Sequence, residues 1–198
     1  METANTRTRY GTVAMTLHWL IAALVLVNLY LGLIAFDQYP KGDPTLFQLV
    51  QIHKSIGLSV LTLSVLRIIW RLVNPVPPLP EGMSALLRFV ARATHFLLYV
   101  LIIAIPLSGW AMVSASRLGL PTSYFGLFNW PNIGFIANMP LDQRNPLRHT
   151  FGETHEFLAW SALVLIVLHV AGALWHQFFR GDEVFKRMVP GTQVGKQA

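Results

Sequence analysis

The sequence predicts an all-α integral membrane protein: a four-helix bundle with both termini in the cytoplasm. Three observations lead to this fold class. Of the 198 residues, 54% are hydrophobic and only 12% are charged, which is too apolar for an ordinary soluble domain of this length. Four apolar stretches are long enough to cross a bilayer, and lysine and arginine are distributed unevenly between their flanks. No internal repeat is visible, so residues 1–198 are expected to form a single membrane-embedded domain.

The four predicted spans follow one another along the chain. A helix crosses about 30 Å of hydrocarbon with about 20 mostly apolar residues. Stretches of this kind lie at residues 15–36, 47–73, 94–113 and 155–179. The segment NPVPPLPEG (74–82) is rich in proline and cannot be helical. The longest connector, 114–154, contains several prolines and aromatic residues, and it is expected to form a folded loop at the membrane surface.

The distribution of positive charge predicts the orientation. Ten of the 15 lysines and arginines fall on the side that carries both termini and the 74–93 connector. Positively charged flanks remain in the cytoplasm, so the loops 37–46 and 114–154 are predicted to face outward. The net charge of +6 then reflects membrane topology, and membrane lipid rather than nucleic acid is the expected partner.

The absence of cysteine excludes several redox centres. Without cysteine, the chain can form no disulfide, no thiolate metal site, no iron–sulfur cluster and no covalent c-type haem attachment. Any haem must therefore be held non-covalently.

Histidine is the residue type that points to function, because ionisable side chains within spans are costly and usually mark a functional pathway. The fourth span carries His155 and His169, which are about 21 Å apart at the helical rise of about 1.5 Å per residue. Over these fourteen residues the rotation about the helix axis is only about 40° short of four full turns, so both rings face nearly the same side of the helix. His53 on the second span lies level with His155, and His18 on the first span lies level with His169.

Two pairs of imidazoles at two depths are what bis-histidine haem ligation requires, with one ring nitrogen on each face of the porphyrin. The expected ligands are His18 and His169 for an inner haem, and His53 and His155 for an outer haem. Zinc would need about four ligands converging at one depth. His95 enters the membrane at about the depth of His18 and could compete for the inner iron. Its alternative role is a hydrogen bond to a haem propionate or to a quinone carbonyl.

Other residues are expected around these sites. Gly32 and Gly109 fall near the outer level, where a missing side chain would make room for a porphyrin, although glycine also serves ordinary helix packing in membranes. Arg67 falls at the inner level and could pair with a haem propionate or extend to lipid headgroups. His149, in the outer loop, and His176, at the cytoplasmic surface, are poorly placed as ligands.

The motifs around these histidines resemble a known family. They are TLHWL, QIHKSIGL with RIIWRL, THFLLY with IPLSGW, and GETHEFLAW with LHVAGALWH. Over about residues 8–190, their order resembles that of the bacterial cytochrome b561 family, which are diheme four-helix proteins of the bacterial inner membrane. The resemblance implies two b haems with axial ligands His18, His53, His155 and His169. His95 matches a family histidine that is not taken to be a ligand.

Within that family the resemblance is strongest to the superoxide oxidases. It implies an oxidoreductase that takes electrons from superoxide, or from another periplasmic one-electron donor, and passes them to ubiquinone. Lys54, Arg144 and Arg148 lie in or beside the outer loops and are candidates for attracting superoxide, although the arginines could instead pair with nearby carboxylates. Quinone contacts are expected either on the inner side, from Arg67, Arg71 and His95, or in the outer loop, from Tyr124 and Trp130.

Two other functional classes stay open at this point. The same diheme bundle could be the electron-relay membrane anchor of a separate dehydrogenase or hydrogenase, which would then co-purify with it. A small transporter that relays protons through histidines is disfavoured, because the spans are unbroken and lack internal symmetry. The chain is expected to act alone or as a weak homo-oligomer.

Overall fold

A computed structural model describes residues 2–80, 82–119 and 121–192 and shows a bundle of four long helices. The helices and strands, in chain order, are α1 (Thr12–Tyr30), α2 (Pro44–Val73), α3 (Ala85–Ser114), β1 (Thr122–Tyr124), β2 (Phe128–Trp130), α4 (Gly134–Ala137) and α5 (Leu141–Trp175). α1 continues through a π-helical turn, Leu31–Ala35, and a 3-10 turn, Phe36–Gln38. α5 continues through a π-helical turn, His176–Arg180, and a 3-10 turn follows at Lys186–Met188.

The predicted fold class is confirmed. Four helical segments are long and apolar enough to cross a membrane, with mean hydropathy between 1.8 and 2.3: Thr12–Gln38, Pro44–Val73, Ala85–Ser114 and Leu141–Arg180. Each begins before the apolar stretch that the sequence predicts, because the residues that precede this stretch continue the same helix. The placement of the termini in the cytoplasm stays a prediction.

Local chemistry explains where α2 and α3 begin. The Asp43 side chain accepts a hydrogen bond from the Thr45 backbone N–H at 2.6 Å, and Pro44 occupies the first helical position, where its missing N–H costs nothing. At the start of α3, Ser84 accepts from the Leu87 N–H at 3.3 Å. Between these helices, described residues 74–80 and 82 are non-helical, as the prolines predict.

One prediction about the outer connector is wrong. Residues 141–154 belong to α5 and are not loop. Pro146 removes one intrahelical hydrogen bond, but Leu147 and Phe151 pack against a buried cluster that contains Ile136 and Ala111. This burial favours the helix at a position where composition alone indicates a loop.

The helices do not all pack equally. α1 packs on α2, α2 on α3, and α3 on α5, whereas α5 makes only sparse contact with α1 and α2. Space therefore remains between α5 and the α1–α2 pair, and both predicted histidine pairs lie across that space.

The two ends of the bundle differ in their connections. At one end, called the inner end, Trp19 Nε1 donates to the Met188 carbonyl at 2.8 Å, and Asn5 Nδ2 donates to the Pro75 carbonyl at 2.9 Å. These bonds place both described ends of the chain beside the proline-rich connector. The opposite end, called the outer end, carries the β1–β2 hairpin.

Two serines of α2 hold this hairpin. Ser55 is fully buried, and its Oγ accepts from the Phe125 N–H at 3.0 Å. One turn further along α2, Ser59 Oγ lies 2.9 Å from the Tyr124 hydroxyl. The hairpin is thus joined to the side of α2 and does not project freely from the outer end.

We expect Ser55→Ala to lower the free energy of unfolding by about 1 kcal/mol, because it removes a part-buried hydrogen bond from the Phe125 N–H to a fully buried hydroxyl. Thermal unfolding in detergent, monitored by circular dichroism, measures this loss. Thr62→Val is the matched control: Thr62 lies on the same helix, is exposed, and donates only to the Leu58 carbonyl at 3.0 Å. Equal losses in the two variants would contradict the hairpin-anchoring role.

Candidate haem sites

The four predicted ligands form two pairs, each of which joins α5 to another helix. The ring centroids of His18 and His169 are 6.3 Å apart, and those of His53 and His155 are 6.0 Å apart. A metal–imidazole bond is about 2 Å long, and the ring centroid lies about 1 Å beyond the nitrogen, so two rings on opposite sides of one iron have centroids about 6 Å apart. Both pairs have the spacing and the neutral nitrogen donors that fit a b-type haem.

His95 also reaches the inner pair. Its ring centroid is 5.1 Å from that of His169, in an edge-on arrangement at 84°. This separation is shorter than two ligands of one iron require, and it is typical of a ring contact. His95 Nδ1 lies 2.7 Å from the Ala91 carbonyl of its own helix. A carbonyl only accepts, so Nδ1 carries the proton and Nε2 presents a lone pair.

Two glycines lie directly against the outer pair. A Cβ added at Gly32 would lie 3.1 Å from His53 Cε1, and one added at Gly109 would lie 3.0 Å from His155 Cε1. Gly32 also belongs to the π-helical turn Leu31–Ala35, an irregularity that is frequent at functional sites. The sequence placed both glycines near this level, and the structure shows that they lie against the rings of His53 and His155.

The surroundings of His155 are polar, a feature that the sequence did not predict. Its Nδ1 lies 2.9 Å from the Ile105 carbonyl and 3.1 Å from Ser108 Oγ, both on α3. The motif IPLSGW could have indicated these surroundings, because a proline, a serine and a glycine close together inside an apolar span are unfavourable for a helix.

Arg67 lies at the inner level, as predicted, and part of its guanidinium is already engaged. Its NH1 donates to the Ala14 carbonyl at 2.7 Å, and the group lies 5.9 Å from the Tyr99 ring centroid. Arg71 lies 5.5 Å from the same ring. The two arginines therefore flank one aromatic side chain near the inner pair, and the other Arg67 donors remain for an anionic group or a carbonyl.

The three predicted outer cations occupy different surroundings. Lys54 is half-buried and directly follows His53. Arg144 NH1 donates to the Ala137 carbonyl at 3.0 Å, and Arg148 is exposed. Among the described residues, neither arginine forms the carboxylate ion pair that was their alternative role.

The remaining outer-loop and surface candidates have partners of their own. His149 pairs with Glu153 at 3.3 Å on the exposed side of α5, and His176 Nδ1 lies 2.5 Å from Asp182 Oδ2 at the inner end. Both lie outside the two histidine pairs, in accordance with the sequence. In the hairpin, Trp130 stacks near Tyr124 with centroids 6.4 Å apart.

Sequence comparison relates this chain to known proteins. The family model of prokaryotic cytochrome b561 matches residues 9–191. The chain belongs to the prokaryotic cytochrome b561 family. Cytochrome b561 homolog 2 of Escherichia coli K12 is 37% identical over 192 residues, covering 96% of this chain and 95% of the relative. The probable superoxide oxidase CybB of Yersinia pestis is 27% identical over 185 residues, covering 92% and 96%. Cytochrome b562 of Cereibacter sphaeroides is 28% identical over 183 residues, covering 91% and 94%.

As a member of the cytochrome b561 family, this chain is a multi-pass protein of the bacterial inner membrane that binds b-type haem and takes part in electron transport. The name of the relative that is 37% identical states no electron donor or acceptor. Superoxide is named in the Yersinia pestis relative, which is 27% identical.

Proposed function

We propose that this cytochrome carries electrons from superoxide, at the outer face of the membrane, to ubiquinone. The observation that carries the proposal is the pairing of four histidines at two depths, with centroid separations of 6.0 and 6.3 Å. In this proposal His53 and His155 hold an outer b haem, and His18 and His169 hold an inner one. Haem supplies reversible one-electron chemistry when bound; the chain supplies its position and surroundings.

The role of α5 is to hold the two sites at a constant separation. His155 and His169 lie on one uninterrupted helix, about 21 Å apart along its axis. That distance covers most of the roughly 30 Å hydrocarbon layer, so an electron can cross it without movement of the protein. With both termini in the cytoplasm, as the charge distribution predicts, the direction is from periplasm to cytoplasm.

On the donor side, Lys54, Arg144 and Arg148 provide positive charge near the outer site. Their charge is not neutralised by carboxylates in the described chain, so it can attract a small anion. Two superoxide anions release two electrons and leave as two molecules of O2. One ubiquinone takes up those two electrons and two protons and becomes ubiquinol. The name of the Yersinia pestis relative supports superoxide as the donor.

On the acceptor side, Arg67 and His95 are the proposed quinone contacts. The free Arg67 donors can bind a quinone carbonyl, or a haem propionate in its place. His95 Nε2 carries a lone pair because Nδ1 donates to the Ala91 carbonyl, so it can accept from a quinol hydroxyl. The hydrogen-bond donor, Arg67, and the hydrogen-bond acceptor, His95, thus both lie at the inner level.

Stopped-flow mixing of the purified oxidised protein with superoxide tests the proposal. We expect fast haem reduction that slows as ionic strength rises, and faster haem reoxidation when ubiquinone is present. Lys54→Ala and Arg148→Ala should each lower the reduction rate about three- to tenfold, because steering by charge contributes about 10-fold or more in total. Lys54→Arg and Arg148→Lys are the matched controls, because they keep the positive charge and should leave the reduction rate unchanged.

Slow reduction, insensitive to salt and to both variants, would rule out attraction of superoxide by these cations. Reduction that occurs only in the presence of a co-purifying dehydrogenase or hydrogenase would instead assign the protein to the relay-anchor class.

A further inference from the structure

The motif IPLSGW, residues 105–110, has no role in the proposed electron path. Its residues are nevertheless unfavourable for the stability of the membrane helix in which they lie. It lies within the membrane helix α3, where Pro106 lacks an N–H and Gly109 lacks a side chain. Proline and glycine both destabilise a helix interior, by about 3 and about 1 kcal/mol relative to alanine. Ser108 adds a hydroxyl that needs a partner in an apolar layer. A specific interaction must offset these costs.

Ser108, Gly109 and the Ile105 carbonyl meet at His155. Ser108 is 7% exposed, and its hydroxyl donates to the Ile105 carbonyl at 2.7 Å. The same carbonyl lies 2.9 Å from His155 Nδ1, and Ser108 Oγ lies 3.1 Å from it. The Cε1 edge of the His155 ring lies against Gly109. A Cβ added at Gly109 would be 3.0 Å from His155 Cε1.

The donors and acceptors in this cluster follow from the chemistry of each group. The Ile105 carbonyl can only accept, so His155 Nδ1 must carry the proton. The Ser108 proton is directed at the same carbonyl, so Ser108 Oγ faces His155 as an acceptor. The Nδ1–H group is therefore shared between two oxygens, and Nε2 keeps its lone pair.

We propose that Ile105, Ser108 and Gly109 form a socket that sets the tautomer, the ring plane and the basicity of His155, and thereby lowers the reduction potential of the outer haem. This inference rests on the proposed function, in which His155 ligates that haem. Hydrogen bonds from the far nitrogen of a ligating histidine fix the ring and raise the basicity of the ligand. A more basic ligand favours the oxidised metal.

The inner pair has no such socket. Within residues 2–80, 82–119 and 121–192, the ring nitrogens of His18 and His169 form no hydrogen bond. The socket, to which Ser108 contributes the second acceptor, thus lowers the potential at the outer site alone. This asymmetry makes electron transfer from the outer to the inner site more favourable, which is the direction that the proposed function needs. Ser108 is a positioning residue that acts through His155.

A redox titration of the full-length protein in detergent tests the socket. Ser108→Ala should retain two haems per chain, and it should change the reduction equilibrium of the outer haem about tenfold toward the reduced form, which is about 59 mV for a one-electron couple. The inner potential should not change. Ser108→Thr keeps a hydroxyl and should restore the wild-type potential. In Ser161→Ala, the control, an exposed α5 hydroxyl loses only its bond to the Phe157 carbonyl at 2.8 Å.

His155→Ala separates failure of the socket from failure of the proposed function. Two haems retained in that variant would overturn the ligand assignment itself. One haem lost there, with an unchanged outer potential and ferric spectrum in Ser108→Ala, would overturn the socket alone. Equal shifts in Ser108→Ala and Ser108→Thr would also overturn it, since the effect would come from size and not from the hydroxyl. Loss of the outer haem in Ser108→Ala but not in Ser108→Thr would support it.

Discussion

Purified His169→Ala protein is expected to bind one haem per chain, against the two that we propose for the wild-type protein. His169 faces His18 at 6.3 Å, and the variant leaves the inner iron with an imidazole on one side only. Neighbouring hydrogen-bond partners of a metal ligand contribute about 10–100-fold to affinity or activity, so loss of the ligand itself should lower electron flow to ubiquinone by more than about 100-fold. The haem-to-protein ratio and the absorbance of reduced b haem measure the result.

His95→Ala is the matched variant at the same depth. The His95 ring lies 5.1 Å from that of His169, too close for the two to ligate one iron from opposite faces. We expect this variant to retain both haems, and His18→Ala to lose the inner one. If His95→Ala lost the inner haem while His18→Ala retained it, the roles of the two histidines would be exchanged.

Gly109→Leu should remove the outer haem while the helices remain folded. The first side-chain atom alone would lie 3.0 Å from His155 Cε1, so the ring must leave its position or α3 must separate from α5. Overpacking of this kind costs about 1–3 kcal/mol, and each 1.4 kcal/mol is about tenfold in binding. Haem content and the spectrum of the remaining haem measure the loss, and circular dichroism checks the fold.

Gly172→Leu is the control for this substitution. Gly172 lies in α5 three residues beyond His169, and a Cβ there meets nothing within 4 Å, so we expect two haems and a wild-type spectrum. If Gly109→Leu also retained both haems with unchanged spectra, the glycine would serve ordinary helix packing and not the ligand site.

Much of this protein follows from relations along the chain. The length of an apolar stretch predicts a span because the rise of a helix per residue is constant. The 14-residue spacing of His155 and His169 predicts two levels for the same reason. The same spacing placed Gly32 and Gly109 near the outer level, where they lie against the rings of His53 and His155.

Relations between helices required the tertiary structure. His18 and His95 share one depth, so spacing cannot say which stands 6.3 Å and which 5.1 Å from His169. Composition placed residues 141–154 in a loop, yet burial of Leu147 and Phe151 makes them helical. The contact of Ser108 with His155 could not be predicted from the sequence, because it depends on how α3 packs on α5. Periodicity reports the depth and the face of a residue, whereas the lateral arrangement of helices depends on how their surfaces fit together.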